Sequence, residues 1–324
     1  MATARTWRTH HHVEGPQPAH ADDIAGLNQV FSDAFSERYR RDGMVGVRVP
    51  FLNPAIWRYA IEDANGGALV WRDERDEIVA FNIAHRSGIE GWMGPLAVRP
   101  DWQGAGLGKE IVRAGVAWLR SARAGTIGLE TMPRTMDNIG FYSSLGFVPG
   151  RLTITLTLDA GMLGTGPSLL GRLPAREKDD AIEECRALTD RLAPGFDFTR
   201  EIVLTDQLSL GDTVLLHERG RLLGFALCHT APLVEGRVRE EMRVLKLAFE
   251  REEDLPRLVN VLVDYARRSG TRRVALRVQT EFLGAYRQLI DMGARVRWTD
   301  LRMTLADMPE RPAQSGVVWS NWEI

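Results

Sequence analysis

The chain has 324 residues, with 41 basic and 43 acidic side chains, so its formal net charge is −2. This length is typical of roughly two domains of about 150 residues each. The near-balance of charge gives no support for a broad nucleic-acid-binding surface. The hydrophobic content of 44% excludes disorder over most of the chain. No run of 18 uncharged apolar residues is present, so we expect no membrane partner. Cys185 and Cys228 are too few for a disulfide framework or a cysteine-rich zinc site, so we expect a cytoplasmic protein without a metal.

The first half of the chain alternates helical and strand patterns, as a mixed α/β domain does. Residues 1–20 are polar and contain proline, and we expect a flexible lead-in there. Apolar spacing of three and four residues predicts helices over 22–40, 54–64, 107–123 and 137–145. Short runs with strand character predict strands over 68–72, 77–85, 91–98, 126–131 and 147–158.

A segment rich in glycine and proline, residues 159–174, predicts a linker between two domains. Beyond it, helices are predicted over 175–193, 253–268 and 281–292, and strands over 213–216, 222–229, 242–249, 273–278 and 294–305. The order strand, helix, strand, helix, strand at 91–158 matches the order at 242–305. We therefore predict two copies of one mixed α/β fold with a C-terminal tail, bounded as 21–158, 175–310 and 311–324.

A glycine-rich turn joins the predicted strand 91–98 to the helix that follows. The turn reads Gln103, Gly104, Ala105, Gly106, Leu107, Gly108, Lys109. Glycine lets backbone approach a ligand closely, and the free N–H groups that begin a helix attract an anion. A phosphate or pyrophosphate is therefore expected at this turn. The glycine spacing fits neither the dinucleotide fingerprint nor the P-loop.

The same turn resembles the acyl-CoA loop of GNAT-type N-acetyltransferases, written Gln/Arg-x-x-Gly-x-Gly/Ala. Gln103, Gly106 and Gly108 stand at the matching positions, and residues 96–100 resemble the family's fourth strand. The resemblance covers about residues 20–158. It implies a GNAT fold, and the repeated order of elements implies two such copies in tandem.

A second match to the same family lies downstream. Tyr142 to Phe147 resembles the segment Tyr-x-x-x-Gly-Phe, with Gly146 in place. One position departs from the pattern, because Thr135 stands where many members have asparagine. The departure concerns the start of the helix that carries Tyr142.

The resemblance implies an acyl-CoA co-substrate, most commonly acetyl-CoA, and a primary amine acceptor on a small molecule or a protein. Backbone groups of Leu96, Ala97 and Val98 would pair with pantetheine. The pyrophosphate would be held by Gln103, Gly104, Ala105, Gly106, Leu107, Gly108 and Lys109. Tyr142 would protonate the leaving thiolate, and its alternative role is packing in the core.

No residue-specific pattern identifies the general base. Glu130 ends the strand 126–131, Glu90 opens the fourth strand, and His85 closes the strand before it. Each of them could act through water, and for each a salt bridge or a solvated strand end is the alternative.

The second copy lacks the features of an acyl-CoA site. Residues 250–256 contain no glycine and four acidic residues, which would repel a pyrophosphate. Leu289 stands where Tyr142 stands in the first copy. We therefore predict a degenerate GNAT-like domain that shapes the acceptor pocket or holds a homodimer. Two functions stay open at this point, an acyl-CoA-dependent N-acyltransferase and a non-catalytic acyl-CoA-binding sensor or scaffold.

Overall fold

The computed structural model describes residues 12–161 and 166–323. Its helices are α1 Ile24–Arg41, α2 Pro54–Ala64, α3 Leu107–Ser121, α4 Met136–Ser143, α5 Ala175–Leu192, α6 Thr199–Gln207, α7 Leu255–Arg268 and α8 Leu283–Asp291. None of these described helices has the length and apolar character needed to cross a membrane.

The strands form one mixed sheet that runs through both halves of the chain. They are β1 Val13–Pro18, β2 Ala68–Asp73, β3 Ile78–Ser87, β4 Glu90–Val98, β5 Thr126–Thr131, β6 Phe147–Asp159, β7 Ser168–Leu169, β8 Gly211–Glu218, β9 Arg221–His229, β10 Glu241–Phe249, β11 Arg273–Gln279, β12 Arg295–Leu305 and β13 Val317–Ser320. The order is β1-β2-β3-β4-β5-β12-β6-β11-β10-β9-β8-β7, and β13 pairs with β10. The prediction of a mixed α/β fold is confirmed.

The two halves exchange one strand each. β12, from the second half, lies between β5 and β6, and its register places Leu301 opposite Thr131 and Thr304 opposite Gly128. β6, from the first half, lies between β12 and β11, and Leu156 is opposite Leu276. Each half therefore completes its central sheet with a strand from the other.

The hydrophobic core follows this shared construction. One apolar cluster joins Trp57 and Phe81 of the first half to Leu188 and Phe225 of the second, and all four side chains are buried. The two copies consequently do not meet across a polar interface of the kind that separates independent domains.

Helix α3 is held close to the sheet by a glycine. A Cβ built at Gly115 would lie 2.3 Å from Nδ2 of Asn82 and 2.6 Å from the sulfur of Met93, so a larger residue would push the helix outward. Asn82 also donates from Nδ2 to the carbonyl of Ile111 at 2.8 Å. These contacts fix the middle of α3 relative to β3 and β4.

The domain boundaries differ from the sequence-based expectation at each end and at the linker. Of the expected lead-in 1–20, residues 1–11 lie outside the described residues, and Val13–Pro18 forms β1 by pairing with β2. The expected linker 159–174 includes β7, and residues 162–165 lie outside the described part. The expected tail 311–324 includes β13, whose four residues are all buried. Each difference arises from pairing between strands that are far apart in the sequence. No local sequence pattern predicts such pairing.

Candidate active site

β4 and β5 separate part-way along their length. Their parallel pairing runs from Glu90 opposite Thr126 to Met93 opposite Leu129 and ends there. The following residues 96–98 pair with β3 on the other side only. An unpaired strand edge can bond an extended ligand through its backbone N–H and C=O groups. This edge belongs to Leu96, Ala97 and Val98, the residues expected from the sequence to contact pantetheine.

The glycine-rich loop is tied to the end of this open edge. Gln103 donates from Nε2 to the carbonyl oxygen of Val98 at 2.9 Å. Gly104 and Gly106 have φ values of 82° and 95°, in the left-handed region that favours glycine. A Cβ at Gly106 would meet nothing within 4 Å, so the loop presents open backbone at that point.

Helix α3 begins directly after the loop without a side-chain cap. Gly106 is the N-cap residue, and the bond from the Lys109 N–H to the Gly106 carbonyl, at 2.9 Å, closes the first turn. The N–H groups of Leu107 and Gly108 therefore lack acceptors within the helix. Together with the helix dipole they form a site suited to a phosphate group. Lys109 is exposed beside it.

Two cavities meet at α4 and β4. One, which we name the loop cavity, has a volume of about 220 Å³ and includes Gln103 and Gly108 in its lining. The other, which we name the acidic cavity, has a volume of about 380 Å³. Residues that line both are Phe35, Leu96, Met132, Asn138 and Tyr142.

Tyr142 occupies the boundary between the two cavities. Its ring packs edge-on against Phe141 and Phe147, with centroids 5.2 Å and 6.1 Å away. The residue is only 8% exposed, and burial raises the pKa of its hydroxyl. The phenol therefore keeps its proton at neutral pH.

The acidic cavity takes its name from three carboxylates, those of Glu130, Asp300 and Glu323, whose oxygens lie within 4.8 Å of one another. Arg277 contacts all three, with N–O distances of 2.5 Å to Glu130, 3.1 Å to Asp300 and 2.9 Å to Glu323. Arg277 therefore offsets part of the negative charge of this cluster.

Glu130 lines the acidic cavity, but its oxygens are occupied. Oε1 accepts from Thr153 at 2.6 Å and from Arg302 at 3.0 Å, and Oε2 accepts from Arg277. Burial acts to raise the pKa of Glu130, but the two guanidiniums and the hydrogen bonds outweigh it, so the pKa is lowered. A carboxylate with a lowered pKa accepts a proton poorly, and this favours a structural role for Glu130.

Glu90 and His85 lie away from both cavities. Glu90 is buried at the opposite end of β4 from Leu96, where it accepts a hydrogen bond from Ser320, and burial raises its pKa. His85 is fully buried, with Nδ1 at 2.7 Å from Asp63 and its ring stacked on Trp92 at 4.0 Å. Neither is placed to reach a group next to Tyr142.

The sequence offered shaping of the acceptor pocket as one role of the second half, but it did not indicate which of its residues line the acidic cavity. Its contributions are Leu233, Trp298, Asp300, Trp322 and Glu323. Trp298 and Asp300 arrive because β12 is exchanged into the first half, and the last two arrive because β13 ends beside it. Long-range pairing places them, so no local motif marks them.

In the second copy, β10 and β11 also separate part-way along their length, but another strand occupies the gap between them. Their parallel pairing ends at Arg243 opposite Ala275. β13 then pairs antiparallel with the continuing edge of β10, with Lys246 opposite Ser320 and Phe249 opposite Val317. The chain's own strand therefore occupies the edge that stays open in β4.

Residues 28–147 match the model of the acetyltransferase (GNAT) family. The first half of the chain therefore contains a GNAT-family domain. A curated relative, an uncharacterized N-acetyltransferase, ycf52, from Pyropia yezoensis, is 33% identical over 78 residues, which is 24% of this chain. The chain spans less than half, 43%, of that relative's length.

Solved structures share the GNAT fold over nearly the whole chain. A Pyrococcus horikoshii protein assigned to the acetyltransferases aligns over 99% of this chain and 98% of its own, with a TM-score of 0.68 and 17% identity. A tandem GNAT protein from the clavulanic acid biosynthesis pathway aligns over 93% of this chain and all of its own, with a TM-score of 0.58 and 12% identity. At these identities the likeness concerns the fold, and it covers both halves of this chain.

Proposed function

We propose that the protein is an acyl-CoA-dependent N-acyltransferase, with acetyl-CoA as donor and a primary amine as acceptor. The observation that carries this proposal is the position of Tyr142 between two cavities of different character. The loop cavity adjoins the open edge of β4 and the phosphate-suited start of α3. The acidic cavity offers negative charge to a cation.

The donor fits the loop cavity by its chemistry. Pantetheine carries amides that can pair with the backbone of Leu96, Ala97 and Val98, as an added strand does. The pyrophosphate takes the N–H groups of the loop and of the first turn of α3, and Lys109 adds charge. The thioester then lies at the end of the open edge, near Tyr142.

The reaction is attack of a neutral amine on the thioester carbonyl. A backbone N–H on the open edge of β4 stabilises the developing oxyanion. The departing thiolate has a pKa near 8.5 by analogy with cysteine, and Tyr142 supplies the proton that makes it a thiol. The second half supplies no donor site, because β13 covers the corresponding edge of β10.

The acidic cavity favours a small-molecule amine with a compact apolar body. Of the described residues that line it, three are carboxylates and none is basic, and Phe31, Leu52 and Trp298 form apolar walls. An ammonium is attracted by that charge, whereas an anionic acceptor is repelled. The volume of about 380 Å³ falls in the range of about 300–1,000 Å³ typical of small-molecule sites.

The donor site is tested by calorimetric titration with acetyl-CoA. Gly106→Trp should abolish binding, because the indole would fill the open space in front of the loop. The control is Gly220→Trp, at a glycine in the turn between β8 and β9 that also has positive φ and no neighbour within 4 Å of a Cβ. The control should bind as the unaltered protein does. No binding by the unaltered protein would reject the proposal.

Turnover is tested with acetyl-CoA and a panel of phenethylamine, spermidine, glucosamine and a peptide with a free N-terminus. Released CoA is measured with a thiol reagent. We expect phenethylamine to turn over fastest. Activity on spermidine or the peptide alone would reject the proposed acceptor class, and release of CoA with none of the four would favour an acyl-CoA-binding sensor.

Location and oligomeric state stay predictions. Cys185 and Cys228 are buried and unpaired, which agrees with the expected cytoplasmic location. A homodimer is to be tested by sedimentation of the purified protein.

A further inference from the structure

Only one carboxylate of the acidic cavity is open enough to exchange a proton with a ligand. The side chain of Glu323 is 49% exposed, against 3% for Glu130 and 5% for Asp300. We propose that Glu323, contributed by the segment after β13, is the catalytic base that takes a proton from the acceptor's ammonium group. This inference rests on the proposed function.

The other two carboxylates are committed to contacts within the protein. Both oxygens of Glu130 accept hydrogen bonds from Thr153, Arg277 and Arg302. Asp300 accepts from the indole N–H of Trp298 at 3.1 Å with Oδ1 and from Arg277 at 3.1 Å with Oδ2. By contrast, Glu323 meets Arg277 with Oε2 at 2.9 Å, and half of its side chain still faces open space.

The charges around Glu323 suit a base that works near neutral pH. Enclosure by the cavity walls acts first to raise its pKa, Asp300 and Glu130 act in the same direction, and Arg277 and Arg243 oppose them. Together they raise the pKa of Glu323 to about 7. The enclosure is incomplete while the side chain is half exposed, and an acceptor in the cavity would remove more of its water. On the α1 side, the group facing Glu323 is the phenol of Tyr39.

The proposed sequence of proton transfers balances. The carboxylate of Glu323 takes one proton from the ammonium, and the freed lone pair forms the C–N bond while the carbonyl pair moves to oxygen. The electron pair on the oxyanion then re-forms the carbonyl, and the C–S bond breaks. The electrons of that bond leave with sulfur, which takes the proton of Tyr142. The extra proton on the new amide nitrogen restores Tyr142, so amide, thiol and one proton on Glu323 result.

The test uses the full chain, acetyl-CoA and two amines at pH 8. Phenethylamine is mostly an ammonium at this pH, since alkylamines have a pKa near 10. β,β-Difluorophenethylamine has nearly the same shape, but its fluorines lower the amine pKa, so most of it is already neutral. Glu323→Gln should lower kcat for phenethylamine by about 10²–10⁴-fold, the usual contribution of a positioned base. The kcat for the difluoro amine should stay within about threefold of the unaltered protein.

The pH profile supplies a second readout. For phenethylamine, kcat of the unaltered protein should rise as pH passes 7, because the base is active when ionised, and the variant should lack this step. Glu253→Gln, at an exposed glutamate far along the second half, is the control and should match the unaltered protein.

The results that would contradict the role of Glu323 differ from those that would contradict the proposed function. Equal losses for both amines would show that Glu323 only shapes the cavity, and an unchanged kcat and pH profile would remove it from the reaction. Either result overturns this inference while acyl transfer by the unaltered protein still stands. If the unaltered protein transfers no acetyl group to any amine, the proposed function itself fails.

Discussion

At the scale of single residues, Tyr142 lines both cavities and is the group on which donor and acceptor converge in the proposed reaction. Its burial among Phe141 and Phe147 keeps the phenol protonated, which suits a donor to a thiolate but not a base. The different roles proposed for Tyr142 and Glu323 follow from their surroundings, since Tyr142 is enclosed by apolar rings and Glu323 lies beside charged groups.

Removal of the Tyr142 hydroxyl separates catalysis from binding. Tyr142→Phe should lower kcat by about 10²–10⁴-fold, because the thiolate then leaves without a proton donor. The dissociation constant for acetyl-CoA, measured by calorimetry, should change less than threefold, since the ring and its packing are kept. Phe141→Leu, at a neighbour with no polar group, is the control for altered packing. An unchanged kcat in Tyr142→Phe would assign the tyrosine to the core.

At the scale of elements, the sequence predicted well wherever a pattern is local. The helix over 107–123 and the alternating strand over 147–158 are present because apolar spacing alone decides them. The glycine-rich turn before α3 is present as expected, because glycines with positive φ at fixed positions mark such a turn. β13 was missed, since its four buried residues carry no alternation to mark them. Trp322 and Glu323, which follow it and line the acidic cavity, were therefore not among the predicted site residues.

The segment from β13 onward serves two parts of the molecule. Trp319 belongs to the apolar cluster of the second half, whereas Trp322 belongs to the shared cluster and lines the acidic cavity. The indole ring of Trp322 also stacks on the guanidinium of Arg302, whose Cζ lies 4.1 Å from the ring centroid. The same short segment thus fills the groove of the second copy and builds a wall of the first.

Substitution of these two tryptophans should separate the two roles. Trp319→Ala and Trp322→Ala should each lower the free energy of unfolding by about 3–5 kcal/mol, the usual cost of truncating a buried tryptophan. Only Trp322→Ala should also raise KM for phenethylamine, because only Trp322 lines the cavity. Urea unfolding and steady-state kinetics provide the two measurements. A raised KM in Trp319→Ala as well would mean that β13 acts on the site as a whole.

At the scale of the whole molecule, the two repeated halves share a single sheet, which the repeat in the sequence does not indicate. A repeated order of elements predicts two copies, and both copies are present. The order of elements cannot report that β6 pairs with β11 and β12, or that β12 pairs with β5. Only a register between residues more than a hundred positions apart settles that exchange. The second half is therefore a structural part of the first, through both β12 and the segment after β13.

The exchange predicts that neither half folds alone. Residues 1–161 on their own would leave β6 without either of its partners and the edge of β5 open, a pattern that promotes aggregation. Residues 166–324 on their own would leave β12 unpaired on both sides. Each fragment should lack a cooperative thermal transition, whereas the two expressed together should form a one-to-one complex that binds acetyl-CoA. A full chain with a protease site inserted between 161 and 166 is the control, and after cleavage it should stay one particle in sedimentation. A soluble fragment 1–161 that melts cooperatively and binds acetyl-CoA would show that the first GNAT copy does not need the borrowed strand.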